Sequence, residues 1–207
     1  LDLLQAGDID RKRITAETCP HYLLFTDADL TSKGARVKCN PAIKTDEDRD
    51  SLIKALKQGL IDTIATDHAP HLPADKEGDL FHAASGMPGV QFSLPLMLSM
   101  GFTPELTARL MAENPATLFG IDRRGFLRPG YHADIVRVTK LDTPHTITDA
   151  DVVSRCGWTP FTGCKTNYEV VTTWVNGHPA YDHGKFSGKR TAQELKFNQS
   201  NAVPTAL

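Results

Sequence analysis

Several features that would indicate a membrane or a polymeric partner are missing from this sequence of 207 residues. No run reaches the roughly 18 apolar residues of a membrane-spanning helix, because the longest apolar patch, residues 92–102, is interrupted by Ser93, Pro95, Ser99 and Gly101. The 23 Lys and Arg residues nearly balance the 25 Asp and Glu residues, so neither a basic surface nor an acidic tail is expected. We therefore expect neither a membrane nor a nucleic acid as a partner.

Cysteine is also scarce. The four cysteines, Cys19, Cys39, Cys156 and Cys164, form no C-x-x-C pair and are widely spaced, which favours reduced thiols and a cytoplasmic location over a disulfide framework. The chain begins with Leu1 instead of Met and has no basic start typical of a signal peptide. We therefore expect it to be a piece of a longer protein.

The first part of the chain has an α/β pattern. Three short β-type runs occupy residues 13–19, 35–40 and 62–67, and each ends in a cluster of polar residues. Between the second and third runs, an amphipathic helix is expected to begin after Thr45 and to end at Gly59. Alternation of strand and helix is typical of a parallel α/β sheet.

The next segment, residues 68–90, is rich in Pro, Gly, His and Asp, and its length and polarity are typical of an active-site loop. Two short helices should follow the loop. The first is capped by Thr103 and runs to about Ala112, and the second restarts at Asn114 and ends at Gly120.

Beyond Gly125 the pattern changes to short β runs separated by turns. Asn176 and Gly177, between the last two of these runs, are a strong signal for a hairpin. The expected runs are residues 126–127, 133–138, 170–175 and 180–186. The predicted divisions are an α/β part (1–124), a β-rich part (125–190) and a C-terminal tail (191–207).

Polar side chains stand where each of the three early β runs ends. His21 follows the first run, Asn40 ends the second and Asp67 ends the third. Taken singly, His21 is better explained as a hydrogen-bonded strand-end histidine and Asn40 as the start of an Asn-Pro turn, while a turn-capping role explains Asp67 about as well as a functional one. Because parallel α/β sheets assemble their sites at the carboxyl ends of their strands, the three together indicate hydrolysis at a metal centre, with a carboxylate transferring the proton.

Three strings in this order resemble dihydroorotases of the amidohydrolase superfamily. They are E-T-C-P-H-Y-L (residues 17–23), Asn40-Pro41 and A-T-D-H-A-P-H (residues 65–71), of which the last is the most specific. The similarity extends from about residue 13 to about residue 186. It continues through residues 85–89, 113–116, 125–130, 133–135 and 175–177.

The resemblance implies the C-terminal part of a (β/α)8 TIM-type barrel of a metal-dependent hydrolase, strands six to eight, followed by a small β-sandwich portion. It also implies that His21 is a zinc ligand from the sixth strand. Asp67, on the eighth strand, would be both a zinc ligand and the catalytic acid and base. The implied substrate contacts are Asn40 and His71 to the carboxylate, and the backbone at Pro88 and Gly89 to the ring.

The other metal and substrate residues of the family have no counterpart here. A first-strand H-x-H pair, a bridging lysine or aspartate, a fifth-strand histidine and a substrate-binding arginine are absent from residues 1–207. A closed barrel needs about 250 residues, and catalytic zinc normally has three protein ligands. We therefore expect this chain alone neither to bind zinc tightly nor to turn over substrate. The expected partner is the missing N-terminal half, and a homodimer is a further option.

The implied activity is zinc-dependent, reversible hydrolysis of (S)-dihydroorotate to N-carbamoyl-L-aspartate in pyrimidine biosynthesis, with one or two zinc ions in the complete enzyme. One alternative is another cyclic amidase, such as a dihydropyrimidinase, hydantoinase or allantoinase. The substrates of those amidases are neutral rings, which would offer no carboxylate for Asn40 and His71 to bind. The other alternative is a silent dihydroorotase-like scaffold for a partner such as aspartate transcarbamoylase, and Asp67 argues against it.

Overall fold

A computed structural model describes residues 1–198 and has the expected α/β character. Its first sheet consists of two short parallel strands, β1 (Glu17–Thr18) and β2 (Thr63–Ile64). The strands pair directly, with Glu17 opposite Thr63 and Thr18 opposite Ile64. Two of the three predicted β runs are therefore strands, although each is shorter than the run that predicted it.

The prediction of a strand at residues 35–40 is wrong. Gly34–Val37 form a 3-10 turn, and the carbonyl oxygen of Lys38 accepts hydrogen bonds from the Gly86 amide (2.9 Å) and the Lys76 ammonium (3.3 Å). Because this segment bonds to a loop instead of a neighbouring strand, no strand separates β1 from β2. Placing β1 sixth and β2 eighth in a barrel does not agree with their direct pairing.

The helix expected between the second and third runs is confirmed. Two short helices, α1 (Pro20–Leu24) and α2 (Ala28–Lys33), precede it, and α3 spans Asp46–Lys57. Thr45 caps α3 by accepting from the Asp48 amide, while the Asp48 carboxylate accepts from the Thr45 amide at 3.3 Å. Such a reciprocal box satisfies two amides that the first helical turn leaves free.

The helices after the long loop form a nearly continuous run. They are α4 (Val90–Ser99), α5 (Pro104–Ala108), a π turn (Arg109–Glu113) and α6 (Asn114–Leu118). The predicted cap at Thr103 is present and accepts from the Leu106 amide at 3.2 Å. The expected break before Asn114 is a wider helical turn, and the Asn114 side chain donates to the Asp62 carbonyl at 2.7 Å.

The C-terminal part contains one antiparallel sheet of four strands. In order they are β3 (Ile135–Thr146), β4 (Lys165–Val175), β5 (His178–Asp182) and β6 (Lys185–Phe186). Asn176 and Gly177 turn the predicted hairpin with φ values of 51° and 80°, which are typical of a type I′ turn. The run expected at residues 126–127 is not a strand.

The sandwich expected from the resemblance would need a second sheet facing this one, and residues 1–198 contribute one antiparallel sheet. Within the predicted tail, Phe197 forms an antiparallel bridge with Ile121. Hydrogen bonds from Asp122 N to Lys196 O (2.8 Å) and from Asn198 N to Gly120 O (2.7 Å) flank that bridge. The rest of the predicted tail, residues 199–207, lies outside the described residues.

A segment between β3 and β4, residues 147–164, crosses from the sheet to the first part and is called the crossing segment here. Lys33 donates to its Pro160 and Thr162 carbonyls at 3.2 and 2.9 Å. The Gln91 side chain bonds to it twice, at Asp151 O (2.6 Å) and Val153 N (2.9 Å). Four apolar residues of the segment enter the main core: Ile147, Cys156, Trp158 and Phe161.

These four side chains pack against residues from the first part, namely Phe25, Val37, Cys39, Ile43, Met87, Phe92 and Leu96. A second core lies beneath the parallel strands and consists of Leu23, Ala55, Leu56, Ile61, Ile64, Met97, Phe102 and Leu110. Burial of apolar surface therefore joins the two parts. No helix within residues 1–198 is long and apolar enough to cross a membrane.

A buried ion pair joins the segment before β1 to the start of β2. The side chains of Lys12 and Asp62 are only 5% and 3% exposed and contact each other directly. Lys12 also donates to the Gly59 carbonyl at 2.8 Å, and Asp62 accepts from the Ala16 amide at 3.0 Å. The pair therefore positions the two strands at their amino-terminal ends.

We expect Lys12→Ala to lower the free energy of unfolding by about 3–5 kcal/mol, because it leaves the Asp62 carboxylate buried without its cation. Urea unfolding of the 207-residue chain measures the change. Lys54→Ala, at an exposed position of α3, is the control and should change stability by no more than about 0.5 kcal/mol. Equal losses in the two variants would contradict a structural role for the pair.

Candidate functional site

Three segments meet beyond the carboxyl ends of β1 and β2. They are residues 38–41, 66–71 and 85–89, and backbone contacts hold them together. His68 and Met87 form a parallel bridge, the Ala69 amide donates to Met87 O at 3.0 Å, and the Gly86 amide donates to Lys38 O at 2.9 Å. Asp67, Asn40, His71, Pro88 and Gly89, all predicted as site residues, lie on these three segments.

Asp67 is exposed and lies three residues beyond the end of β2. Its φ of 46° places it in the left-handed region, which is uncommon for a residue with a side chain and concentrates at functional sites. Burial raises the pKa of the nearby Cys19 thiol to about 12, and the negative charge of Asp67 adds to that rise. Asp67 therefore presents a carboxylate at the edge of the sheet where the sequence predicted one.

His21 lies in the first turn of α1, and its side chain is completely buried, with 0% exposure. Burial lowers its pKa to about 4, although the Asp67 charge acts in the opposite direction. Its ring packs on Tyr22 with 4.2 Å between centroids, and neither ring nitrogen has a hydrogen-bond partner within residues 1–198. A neutral buried imidazole without a partner needs one from outside this part of the chain.

The described residues do not complete a metal centre. Among residues 1–198, no three His, Cys, Asp or Glu side chains are grouped closely enough to hold an ion, whereas catalytic zinc takes three protein ligands and a water. The free nitrogens of His21 and the carboxylate of Asp67 are two candidate donors, one enclosed and one exposed. Metal ligation by these two residues stays a prediction.

Asn40 and His71 both contact Ser85. The Asn40 side-chain amide donates to Ser85 Oγ at 3.1 Å, and His71 Nε2 lies 2.9 Å from the Ser85 carbonyl oxygen. A carbonyl only accepts, so Nε2 carries the hydrogen and Nδ1 is the remaining polar atom of the ring. The Tyr22 hydroxyl donates to Pro41 O at 2.7 Å and holds the segment that carries Asn40.

Two glycines allow residues 85–89 to lie against the end of β2. A Cβ atom at Gly89 would be 2.8 Å from the Thr66 carbonyl oxygen, and one at Gly86 would be 2.6 Å from the Ala69 Cβ. Gly86 also has a φ of 113°, which side-chain-bearing residues rarely adopt. Pro88 and Gly89 are buried by this close approach, and their contact with a substrate ring stays a prediction.

Lys76 is a structural residue of the site that the sequence did not indicate. It is only 8% exposed, and its ammonium donates to the carbonyls of Ala84 (2.6 Å), Gly86 (2.8 Å) and Lys38 (3.3 Å). Burial, and then the charge of Lys38, lowers the pKa of Lys76 to about 8. A single lysine in a polar loop reads as solvated, because only the folded loop places three carbonyls around it.

Trp158 is buried in the main core, with 2% exposure. Its indole nitrogen also donates to the His71 carbonyl at 2.7 Å, which the sequence did not predict. Ser85 lies in the range 85–89 that shares the family resemblance, but it had no assigned role. No local pattern marks either contact, because the partners are far apart in the chain.

Comparisons with known proteins identify the family of this chain. A family model described as the amidohydrolase family matches residues 1–180. Dihydroorotases of Lactobacillus johnsonii and Halobacterium salinarum are 38% and 37% identical, over 83% and 86% of this chain and 42% and 44% of those proteins. An allantoinase of Bacillus velezensis is 35% identical over 87% of this chain and 40% of its own length.

Solved structures of hydantoinases are similar in fold. An L-hydantoinase (dihydropyrimidinase) from Arthrobacter aurescens matches with a TM-score of 0.79 and 31% identity, over 83% of this chain and 40% of that one. The chain thus spans about two fifths of the length of these relatives. The names of these relatives differ, since two are dihydroorotases, one is an allantoinase and one is an L-hydantoinase.

The lowered pKa of Lys76 predicts a pH effect that Lys76→Met should abolish. The pKa of Lys76 is ordinarily 10.5 and is about 8 in the folded chain. Between pH 8 and pH 10.5 the unfolded chain therefore binds more protons than the folded chain. The contribution of Lys76 to the free energy of unfolding therefore rises with pH across that window. Urea unfolding at pH 8 and pH 10 should show wild type gaining stability relative to Lys76→Met.

Groups other than Lys76 titrate in both proteins and cancel in that difference. Lys54→Met, at an exposed position of α3, is the matched control and should differ from wild type by the same amount at both pH values. A pH-independent difference for Lys76→Met would mean that the ammonium is not desolvated as the fold implies.

Proposed function

This chain belongs to the amidohydrolase family, and we propose that it supplies part of the active site of a cyclic amidase that hydrolyses dihydroorotate reversibly to N-carbamoyl-L-aspartate. Because the chain spans about two fifths of its relatives, the activity is assigned to the longer polypeptide or complex that contains these residues, called the complete enzyme below. In that enzyme, residues 1–124 would belong to the barrel and residues 125–190 to the smaller β portion.

The observation that carries the proposal is the convergence of Asn40 and His71 on Ser85. The Asn40 amide keeps a second hydrogen, the Ser85 hydroxyl keeps its own, and His71 keeps Nδ1. The first two are donors as they stand, and Nδ1 donates when the ring carries both hydrogens. Several donors at one place suit a carboxylate, which dihydroorotate carries and a hydantoin ring lacks.

Asp67 is proposed as the acid and base of the reaction. A water molecule attacks the ring carbonyl carbon, and Asp67 accepts the proton that the water loses. The C–N bond of the ring then breaks, and Asp67 returns the proton to the leaving nitrogen, so the carboxylate is regenerated. Its exposed position beyond β2, on the same segment as His71, supports this role.

Zinc is proposed as the cofactor of the complete enzyme, where a bound metal polarises the carbonyl and lowers the pKa of water. This chain would offer Asp67 and, as predicted from the resemblance, His21, while further ligands would come from outside it. The ring nitrogens of His21 have no hydrogen-bond partner within residues 1–198, which supports a metal ion or a residue from outside this range as their partner. Their complete enclosure is unlike the exposed carboxylate of Asp67, so the two residues need separate tests.

A second candidate is a cyclic amidase for a neutral ring. The allantoinase and L-hydantoinase relatives, at 35% and 31% identity, favour it. In such an enzyme, Asn40 and His71 would have no carboxylate to bind. A scaffold would differ from both enzymes because it has no turnover. The activity of the wild-type complete enzyme therefore tests this alternative.

We expect Asp67→Asn in the complete enzyme to lower kcat for dihydroorotate by about 10²–10⁴-fold, because it removes the proton-transferring group. Steady-state assay in both directions measures the loss. Asp50→Asn, at an exposed position of α3, is the control and should keep wild-type activity. Full activity of Asp67→Asn would remove the assigned acid and base, and an inactive wild type would favour the scaffold.

Elemental analysis of the same proteins tests the metal ligands. Asp67→Asn should lower the zinc content of the complete enzyme. His21→Gln separates ligation from packing: loss of zinc would support His21 as a ligand. Wild-type zinc content would exclude His21 from the ligand set.

His71→Ala should raise KM for dihydroorotate by about tenfold to a hundredfold, the effect of losing a hydrogen bond to a charged group, and should leave KM for dihydrouracil within about twofold. His82→Ala is the control, because His82 is exposed in the same loop and bonds only to Asp79 among the described residues. Equal effects of His71→Ala on both substrates would overturn the dihydroorotate assignment and favour the neutral ring.

A further inference from the structure

We propose that Trp158, on the crossing segment, is a positioning residue for His71 and thereby tunes recognition of the substrate carboxylate. This inference rests on the proposed function. His71 is held at two points, by the bond from the Trp158 indole to its carbonyl (2.7 Å) and by the contact of its Nε2 with Ser85 O (2.9 Å). With backbone and ring both fixed, Nδ1 has a defined direction.

Trp158 is itself held rigidly enough to serve as an anchor. Two cations lie over its indole, with Arg36 Cζ 5.5 Å and Lys76 Nζ 5.7 Å from the ring centroid, a geometry in which cation–π attraction operates. Only 2% of the residue is exposed. Its nitrogen therefore has little freedom to leave the His71 carbonyl.

One of the two cations links the anchor back to its own segment. The Arg36 guanidinium donates to Asp149 at 2.5 Å, and the same carboxylate accepts from the Thr162 hydroxyl (2.5 Å) and the Thr159 amide (3.2 Å). Asp149 thus shapes the turn that follows Trp158 while holding the cation that covers its ring. The other cation, Lys76, bonds to the loop that carries Ser85.

Simple packing does not account for this arrangement. An indole buried only for its apolar area needs some acceptor for its N–H, but here the acceptor belongs to the residue proposed to bind the carboxylate. The tryptophan comes from the segment between β3 and β4, 87 residues away. The crossing segment therefore reaches His71 through this hydrogen bond. Its loss should change the position of His71 more than the position of Asp67.

The test removes the N–H while an aromatic side chain stays at position 158. Trp158→Phe in the complete enzyme should raise KM for dihydroorotate by about threefold to tenfold, the effect of one hydrogen bond. The kcat for dihydroorotate and the KM for dihydrouracil should each stay within about twofold of wild type. Substituting 3-benzothienylalanine at position 158, where sulfur replaces the indole N–H, gives the same result without a cavity. Trp174→Phe, at a tryptophan on β4 outside the site segments, should change none of these values.

A double-mutant cycle decides whether Trp158 acts through His71. In a His71→Ala background, Trp158→Phe should have almost no further effect on KM, since coupled residues are not additive. Additive effects, or equal changes in KM for dihydroorotate and dihydrouracil, would overturn the proposal and leave Trp158 as a packing residue.

Failure of the proposed function gives a different result. A wild-type enzyme that does not turn over dihydroorotate refutes the substrate, and hydrogen exchange then tests the anchor without activity. The amides of Ala69, His71 and Leu72 should exchange faster in the 3-benzothienylalanine variant than in wild type or Trp174→Phe. Unchanged exchange there would refute the anchoring of His71 independently of any substrate.

Discussion

Burial of the crossing segment between the two parts of the chain is the constraint on which the rest depends. Four of its side chains enter the main core together with residues from the first part, while α4 also contacts β4 directly, where the Asn167 amide donates to the Ser99 hydroxyl at 2.9 Å. The apolar contact sets the distance between the parts. Polar contacts from Lys33, Arg36 and Gln91 then fix the path of the crossing segment over the first part. The donors and carboxylate of the candidate site are therefore arranged on one side of a core to which both parts contribute.

The wall of the candidate site is made of loops, and its backbone groups must find partners without a sheet. Lys76 supplies three hydrogens to carbonyls of two segments, and the close approach allowed by Gly86 and Gly89 supplies the rest of the contact. A buried lysine costs desolvation, which its lowered pKa reports. That cost is offset because the loop carrying His71 and the segment carrying Asn40 are held in one position.

The candidate site is open where other residues of a larger enzyme would complete it. Both nitrogens of His21 are without partners within residues 1–198, and the two parallel strands, β1 and β2, pair only with each other in that range. These features agree with a chain that spans about two fifths of its relatives. What these residues contribute is one exposed carboxylate, a set of hydrogen-bond donors and the core that positions them, while a metal centre would need ligands from elsewhere.

The sequence by itself determined the features that depend on neighbours along the chain. The capped helix after Thr45 and the hairpin at Asn176 followed from local hydrogen bonding and backbone preference, and the quoted motifs indicated the family and the three site segments. Only the tertiary structure decided that residues 35–40 bond to a loop instead of forming a strand, and that Trp158 holds His71. Both depend on which distant backbone groups remain unpaired after the core has formed, and no local pattern encodes that.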